Sequence, residues 1–304
     1  VTENNPSRTA SVVAASLVYL RGDSRVGDLI SDDTVRYCRQ FLRSAGCERL
    51  LRLAEHPRLR GAVRLLERVT LPGIMLHYAV RKRFLRDWVL ASIAEGCKQV
   101  VVLGAGFDPL CLELHRRFPD VRFVEVDHPA TQAVKRAALA ELGLNPRNVC
   151  FVAADLARTP LDQALDGCTE PYGGARTLYV AEGLLMYLES QQVLGLLHRA
   201  LQSAPSRIAF TFLEPQADGK PNFRNSSKLI DLWLKRTGEP FMWGVSRVDL
   251  RDALKRLCCT VREIAGEASL VARYLGTRSA GLTTIEGEYA CVADLSRGSF
   301  REAL

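Results

Sequence analysis

Gln99-Val-Val-Val-Leu-Gly-Ala-Gly-Phe-Asp108 is the stretch whose reading decides the fold. Val100 to Leu103 are consecutive apolar residues, mostly β-branched, too short for a helix and stopped by glycine. A strand covered on both faces of a parallel sheet has this pattern. Gly104 and Gly106, with Ala105 between them, allow a sharp turn and a close approach of the backbone to a ligand. Asp108 is placed to cap the helix that Pro109 opens, proline being tolerated in a first helical turn. Strand, glycine turn and helix start together predict a cofactor-binding turn.

The choice of cofactor turns on what this segment lacks. A dinucleotide fingerprint carries a third glycine three residues after the second, for close helix–strand packing with a pyrophosphate at the helix N-terminus. Pro109 stands in that place, and Asp108 beside it would repel a diphosphate. The next apolar run, Val121-Arg-Phe-Val-Glu-Val-Asp127, ends in an acid about 20 residues past the turn, where open α/β sheets grip ribose hydroxyls. A ribose-binding acid without a diphosphate loop points to S-adenosylmethionine (SAM) rather than NAD. The plainer alternative makes Asp127 only the cap of a helix that begins near Pro129.

The rest of the chain arranges itself around this unit. Residues 7–96 read as almost wholly helical, with apolar positions at helical spacing through Val35, Cys38 and Leu42 and again through Ala62, Leu65, Leu66 and Val69. The longest pattern, Ile74 to Ala94, runs straight into the glycine-turn strand. Beyond it strands and helices alternate: a helix from Pro129 to Leu142, a short strand Val149–Val152 leading to Asp155-Leu156, and a strand Thr177–Ala181 ending at Glu182. A helix running through Leu196 and a strand Ser206–Phe212 come next. This alternation predicts βαβ units and a parallel sheet, in which ligands sit outside the carboxyl ends of the strands. Gly104/Gly106, Asp127, Asp155 and Glu182 fall at such ends in succession and predict a binding crevice.

Further on, Asn222–Thr237 reads as an amphipathic helix carrying Trp233. Gly238-Glu-Pro-Phe-Met-Trp-Gly244 reads as an aromatic loop that either lines an acceptor pocket or seals the edge of the core. A helix Val248–Leu257 and strands near residues 260–264 and 289–294 close the pattern. No polar linker divides the helical part from the alternating part. The expectation is therefore one domain over residues 1–304, with a helical cap over 1–96, an α/β core over 97–304 and an acceptor-lid insertion at about 214–245.

Composition sets bounds. An apolar fraction of 47% and a charged fraction of 25% are ordinary for a globular protein with a full core. Nine cysteines without a CxxC pair read as reduced thiols of a cytoplasmic protein, and they predict neither a metal site nor a disulfide frame. The apolar run Ala10–Leu20 resembles a short signal segment, but Ser11, Ser16 and the flanking Arg21 and Asp23 fit a packed helix, which the cysteine usage favours. No run is long enough to span a bilayer, so no membrane partner is expected. The net charge of +7 is uneven: residues 36–86 hold twelve arginines and Lys82 against three glutamates, a surplus of +10. Arg60, Arg64 and Arg68 share one helical stripe, as do Arg36, Arg39 and Arg43, which favours solvated helix faces over a phosphate track. The arginines lack aromatic interleaving, so a nucleic-acid partner is not expected.

With these residues in place, the chain resembles the leucine carboxyl methyltransferase family of SAM-dependent enzymes, in particular its bacterial members. The most specific mark is Ala181-Glu-Gly-Leu-Leu-Met-Tyr-Leu188; Leu103-Gly-Ala-Gly-Phe-Asp108, Phe123-Val-Glu-Val-Asp127 and Ala154-Asp-Leu156 match in the same order. Ser7-Arg-Thr-Ala10 and Arg81-Lys-Arg-Phe-Leu-Arg-Asp87 resemble the N-terminal motifs more loosely. The resemblance implies a class I SAM-dependent methyltransferase fold: a Rossmann-like, mostly parallel seven-stranded sheet with an N-terminal helical cap. It implies that Gly104, Ala105 and Gly106 lie under the methionine part of SAM and that Asp127 holds the ribose. It implies further that Asp155 and Leu156 meet the adenine, that Glu182 faces the sulfonium and amino group, and that Arg81 pairs with the methionine carboxylate. Arg8 or Thr9 adds to that contact or meets the acceptor. Pro109 and Arg86 depart from the usual family residues.

The reaction so implied is an O-methyl transfer, with a carboxylate of a small, polyketide-like molecule as the leading acceptor. A tRNA-linked or protein C-terminal carboxylate and a phenol are the alternatives. A carboxylate is already ionised at neutral pH and needs no base, in keeping with a chain of five histidines. His115 and His198 are expected on surface helices, His128 in a structural role, and His77 and Tyr78 beside Arg81. Tyr187 is expected to shape the pocket or hydrogen-bond the acceptor. A phenol would need a group to take its proton, and none is evident from the sequence.

Overall fold

The computed structural model describes residues 5–168, 176–202, 205–224 and 226–295. Its centre is a seven-stranded sheet of order β3-β2-β1-β4-β5-β7-β6. The strands are β1 (Gln99–Leu103), β2 (Arg122–Asp127), β3 (Val149–Ala153), β4 (Thr177–Ala181), β5 (Ser206–Leu213), β6 (Cys259–Ala265) and β7 (Glu288–Leu295). The first five pair in parallel, and β7 runs antiparallel to both β5 and β6. β1 is buried at every residue, which is why it is written as an unbroken apolar run. Its side chains alternate between two apolar clusters: Val100 and Val102 join one, Val101 and Leu103 the other.

Helices α1 (Arg8–Arg21), α2 (Asp32–Ser44), α3 (Glu48–Glu55), α4 (Arg60–Thr70) and α5 (Ile74–Ala94) precede the sheet. α1, α2 and α5 supply much of the first cluster, and the second is covered by helices from the C-terminal half. α5 is apolar around most of its circumference because it is packed between the other cap helices and the sheet. The glycine turn leads into the short α6 (Leu110–Leu114), where Asp108 Oδ1 accepts from Leu110 N at 3.1 Å, one residue later than the helix start read at Pro109. α7 (Pro129–Glu141) joins β2 to β3. From it the fully buried Lys135 reaches back, donating to the Asp108 carbonyl at 2.5 Å and pairing with buried Glu125 at 2.6 Å. Removing one partner of such a buried pair costs about 3–5 kcal/mol, so the turn is anchored from beneath.

Two helices differ from the sequence reading. In place of one helix after Glu182 there is a 3₁₀ turn at Leu185–Tyr187 followed by the helix α9 (Ser190–Gln202), the short α8 (Leu161–Ala164) lying earlier, between β3 and β4. The Met186 carbonyl accepts from Met242 N at 2.7 Å and Trp243 N at 3.3 Å, so it is not free for a helical ladder. The amphipathic segment read from Asn222 is helical only as α10 (Lys228–Thr237). Ahead of it Arg224 N donates to the Glu286 carbonyl and Ser227 N to the Thr70 carbonyl, at 2.8 and 3.2 Å, away from any helix. α11 (Arg247–Arg256) lies where expected, and α12 (Glu267–Leu275), between Gly266 and Gly276, is a further helix between the last two strands. His115 is buried, not on a surface, with Nδ1 2.8 Å from the Leu112 carbonyl. No helix among the described residues is long and apolar enough to cross a membrane.

Candidate active site

The carboxyl ends of β1, β2, β3 and β4 open into one cavity of about 510 Å³, roofed by α1, α5, α10 and the loop 238–242. Gly104, Ala105, Gly106, Asp127, Asp155, Leu156, Glu182, Arg81 and Tyr187 all line it. Thr9 and Tyr78 are also in its wall; Arg8 and His77 are not.

On the strand side the polar groups are fixed by backbone. Gly104 N and Ala105 N donate to the Val126 carbonyl at 2.8 and 3.2 Å, binding the turn to the end of β2. Gly104 and Gly106 take φ of +64° and +50°, and a Cβ on Gly106 would stand 3.2 Å from Ala10 Cβ. The Asp127 carboxylate receives Gly106 N on Oδ2 and His128 N on Oδ1, the latter at 2.6 Å. Each oxygen keeps lone-pair capacity for a further donor such as a ribose hydroxyl. Burial pushes the Asp127 pKa up in spite of these two bonds. Asp155 is more exposed; it accepts from Ala157 N at 3.0 Å and pairs with Arg158 at 3.6 Å.

Behind this rim lies a charge network that sequence reasoning saw only in part. Arg81 Nε donates to Glu182 Oε1 at 3.0 Å, and Nη1 to Glu288 Oε2 at 2.6 Å. Lys82 Nζ bridges Asp108 at 3.0 Å and Glu182 at 3.2 Å. His77 Nε2 lies 2.7 Å from the same Glu288 oxygen as Arg81. Burial opposes charge on Arg81 and Lys82, yet the facing acids hold both pKa values above their usual range. Burial likewise opposes ionisation of Glu288, but the Arg81 charge and the His77 bond outweigh it and hold the carboxyl at about 2. Arg81, Lys82 and the His77 ring thus face the three carboxylates of Asp108, Glu182 and Glu288 beside the glycine turn. A Cβ on Gly183, whose φ is +60°, would come 3.5 Å from Arg81 Nη2. At that ordinary contact distance it is the positive φ, not the space, that favours glycine here.

The helical side of the cavity has a different chemistry. Tyr187 packs on Phe241 and Phe241 on Phe223, with ring centroids 5.6 and 6.0 Å apart. Trp233, Ile230 and Leu71 continue this apolar wall. Set into it is Glu239, 6% exposed, whose Oε2 accepts from Thr9 N at 3.0 Å and Thr9 Oγ1 at 2.5 Å. Burial pushes the Tyr187 phenol far above its usual pKa, and the Glu239 charge adds to the effect. The Tyr187 hydroxyl is therefore neutral and able to donate. Part of the cationic surplus of residues 36–86 is paired with acids: Arg39 with Glu55 at 2.5 Å, Arg83 with Asp87 at 3.2 Å, Arg86 with Glu113 at 3.6 Å. Arg64 meets Asp23 at 2.7 Å in the same way.

The strand order, with β7 reversed at one side and helices capping the N-terminal part, defines a class I SAM-dependent methyltransferase fold. The crystal structure of a DUF574 family protein from Streptomyces avermitilis shares it, with a TM-score of 0.55 over 93% of this chain and 97% of that one at 13% identity. The chain belongs to the leucine carboxyl methyltransferase family, whose model matches residues 8–200. A candidate SAM-dependent methyltransferase of Parafrankia sp. (strain EAN1pec) is 34% identical over 167 residues, 52% of each chain. Another from Mycobacterium sp. (strain KMS) is 32% identical over 210 residues, 67% of this chain and 66% of the relative. The matched part thus spans between about half and two thirds of the length of these relatives.

Proposed function

We propose that this chain is a SAM-dependent O-methyltransferase acting on a small, largely apolar acceptor. The observation that carries the reading is the convergence of Gly104, Gly106, Asp127, Asp155 and Glu182 on one cavity whose opposite wall is aromatic. Bound SAM supplies an electrophilic methyl carbon; the residues do the rest. Asp127 accepts from the ribose hydroxyls, and Asp155 and Leu156 meet the adenine. Glu182 faces the positive end of the methionine moiety, while Arg81 and Lys82 turn their remaining donors to its carboxylate. Rings at Phe223, Phe241 and Tyr187 hold the acceptor in line and keep water away, and alignment of this kind supplies up to roughly 7–11 kcal/mol.

The family resemblance suggests a carboxylate acceptor and a methyl ester product. A cavity roofed by α1, α5, α10 and the loop 238–242 favours a small molecule over a protein C-terminus or a tRNA. Nine free cysteines suit a reducing, cytoplasmic setting. The test is incubation with methyl-labelled SAM and two matched series, aromatic carboxylic acids and phenols. Label transferred to members of either series is the expected result; SAM binding without transfer to any of them would overturn the reading.

A further inference from the structure

A buried carboxylate in the wall of an acceptor pocket is an unusual neighbour for a carboxylate substrate. Glu239 follows Gly238, which ends α10 in a left-handed turn of φ +74°. Gly238 N bonds the Lys235 carbonyl at 3.2 Å and Glu239 N the Leu234 carbonyl at 2.9 Å, which fixes the direction in which the chain leaves the helix. Three residues on, Met242 N bonds the Met186 carbonyl at 2.7 Å, fastening this loop to the turn that carries Tyr187 at the end of β4. The loop that carries Glu239 is thus tied to the turn that follows β4. Thr9 occupies only its Oε2; among the described residues no hydrogen-bond donor takes Oε1. Among the described residues the lysines and arginines of the cavity wall are already paired: Arg81, which lies over the Tyr78 ring, and Lys82 by Asp108, Glu182 and Glu288, and Arg158 by Asp155. A negatively charged acceptor would enter the aromatic half against Glu239 with no described cation free of an acid partner to offset the repulsion.

We propose that the acceptor is a neutral phenolic hydroxyl and that Glu239 is the general base that takes its proton. This rests on the methyltransferase reading and narrows it. The phenol ring lies among Phe223, Phe241 and Tyr187, edge or face to their rings. The phenolic O–H proton passes to a Glu239 carboxylate oxygen, which becomes a carboxylic acid. The electron pair left on the phenol oxygen forms the new O–CH₃ bond, and the pair of the broken C–S bond stays on sulfur as the thioether forms. The simpler role for Glu239, a latch that ties the first turn of α1 over the cavity, is separable by substitution. In Glu239→Gln the amide oxygen still accepts from Thr9 N and Oγ1 while the base and the charge are lost.

The experiment compares wild type with Glu239→Gln in two ways. Calorimetry with the protein saturated in S-adenosylhomocysteine measures binding of phenol and of benzoate. The substitution is expected to weaken phenol about tenfold, the worth of a hydrogen bond to a charged group, and to strengthen benzoate. Labelled-SAM turnover is then measured at one pH over phenols of falling pKa. Here the variant's deficit is expected to be about a hundredfold for unactivated phenols, in the range of general-base catalysis, and to shrink toward none for phenols already ionised. Equal deficits across the series, no deficit at all, or unchanged affinities for both ligands would overturn the base role and leave the latch. Transfer to benzoates but not phenols would overturn the acceptor class while leaving the methyltransferase reading intact. Transfer to neither would overturn both.

Discussion

The two walls of the cavity are built on opposite principles. The strand wall takes its polar groups from consecutive strand ends of one sheet and locks each by backbone or by a facing charge: Asp127 by Gly106 and His128, Glu182 by Arg81 and Lys82. The helical wall gathers side chains from segments far apart in the chain. Thr9 and Glu239 meet across 230 residues, and the Phe241 ring packs on both Tyr187 and Phe223. A fixed wall suits a ligand that never changes, such as a methyl donor. A wall of side chains on helices and a loop can be rewritten for a new acceptor without disturbing the sheet. The same division separates what one substitution should do on either side.

The largest effect is expected where the strand wall meets the core. Glu288→Ala leaves Arg81 and His77 buried without their shared acid and should cost about 3–5 kcal/mol of stability by chemical denaturation. A loss below about 1 kcal/mol would show that the network is not structural. The same carboxyl sets an acid limit. Its folded pKa of about 2 lies below the ordinary 4.5, so its contribution is present in full above the ordinary value and is lost as pH falls toward about 2. That contribution is on the order of 3 kcal/mol, and a Glu288→Gln protein should lose this part of its acid sensitivity.

Next in size is Arg81→Ala, which should weaken SAM by about 1.5–3 kcal/mol while leaving adenosine affinity nearly unchanged in the folded fraction. An equal loss for both ligands would contradict a pairing with the methionine carboxylate. Smallest is the effect on the other wall. Phe241→Ala removes the ring that packs between Tyr187 and Phe223. It should raise the KM of an aromatic acceptor about three- to tenfold and leave SAM affinity where it was. If SAM binding fell with it, the two walls would not be separable as described.

The strand wall was legible because its signals are local. An apolar run, a glycine pair and an acid at a strand end occur within a few residues of each other, and the parallel sheet then puts successive ends on one rim. The helical cap was equally plain from its periodicity, Ile74–Ala94 matching α5 end to end. What stayed hidden was pairing over long distance. Glu288 is only the first residue of the last strand until β7 lies beside β5 and brings it to Arg81. Glu239 reads as one acid in an aromatic loop, between glycine and proline, and its partner at Thr9 lies far off in the chain. The misread helices share a cause. Hydrogen bonds from Met242 to Met186 and from Arg224 to Glu286 join segments that periodicity treats separately. His115 was misplaced for a related reason, since its imidazole is satisfied by a carbonyl of its own turn and can be buried.

The claim on which the rest depends is that the rim of β1 to β4 seats SAM by its ribose. Calorimetric titration of SAM into the wild-type chain and into Asp127→Ala, side by side, tests it. Saturable one-to-one binding that weakens roughly ten- to a hundredfold in the variant is the expected outcome, the loss of charge-assisted hydrogen bonds at a buried carboxylate. Equal affinity in the two proteins, or no saturable binding to the wild type, would contradict it.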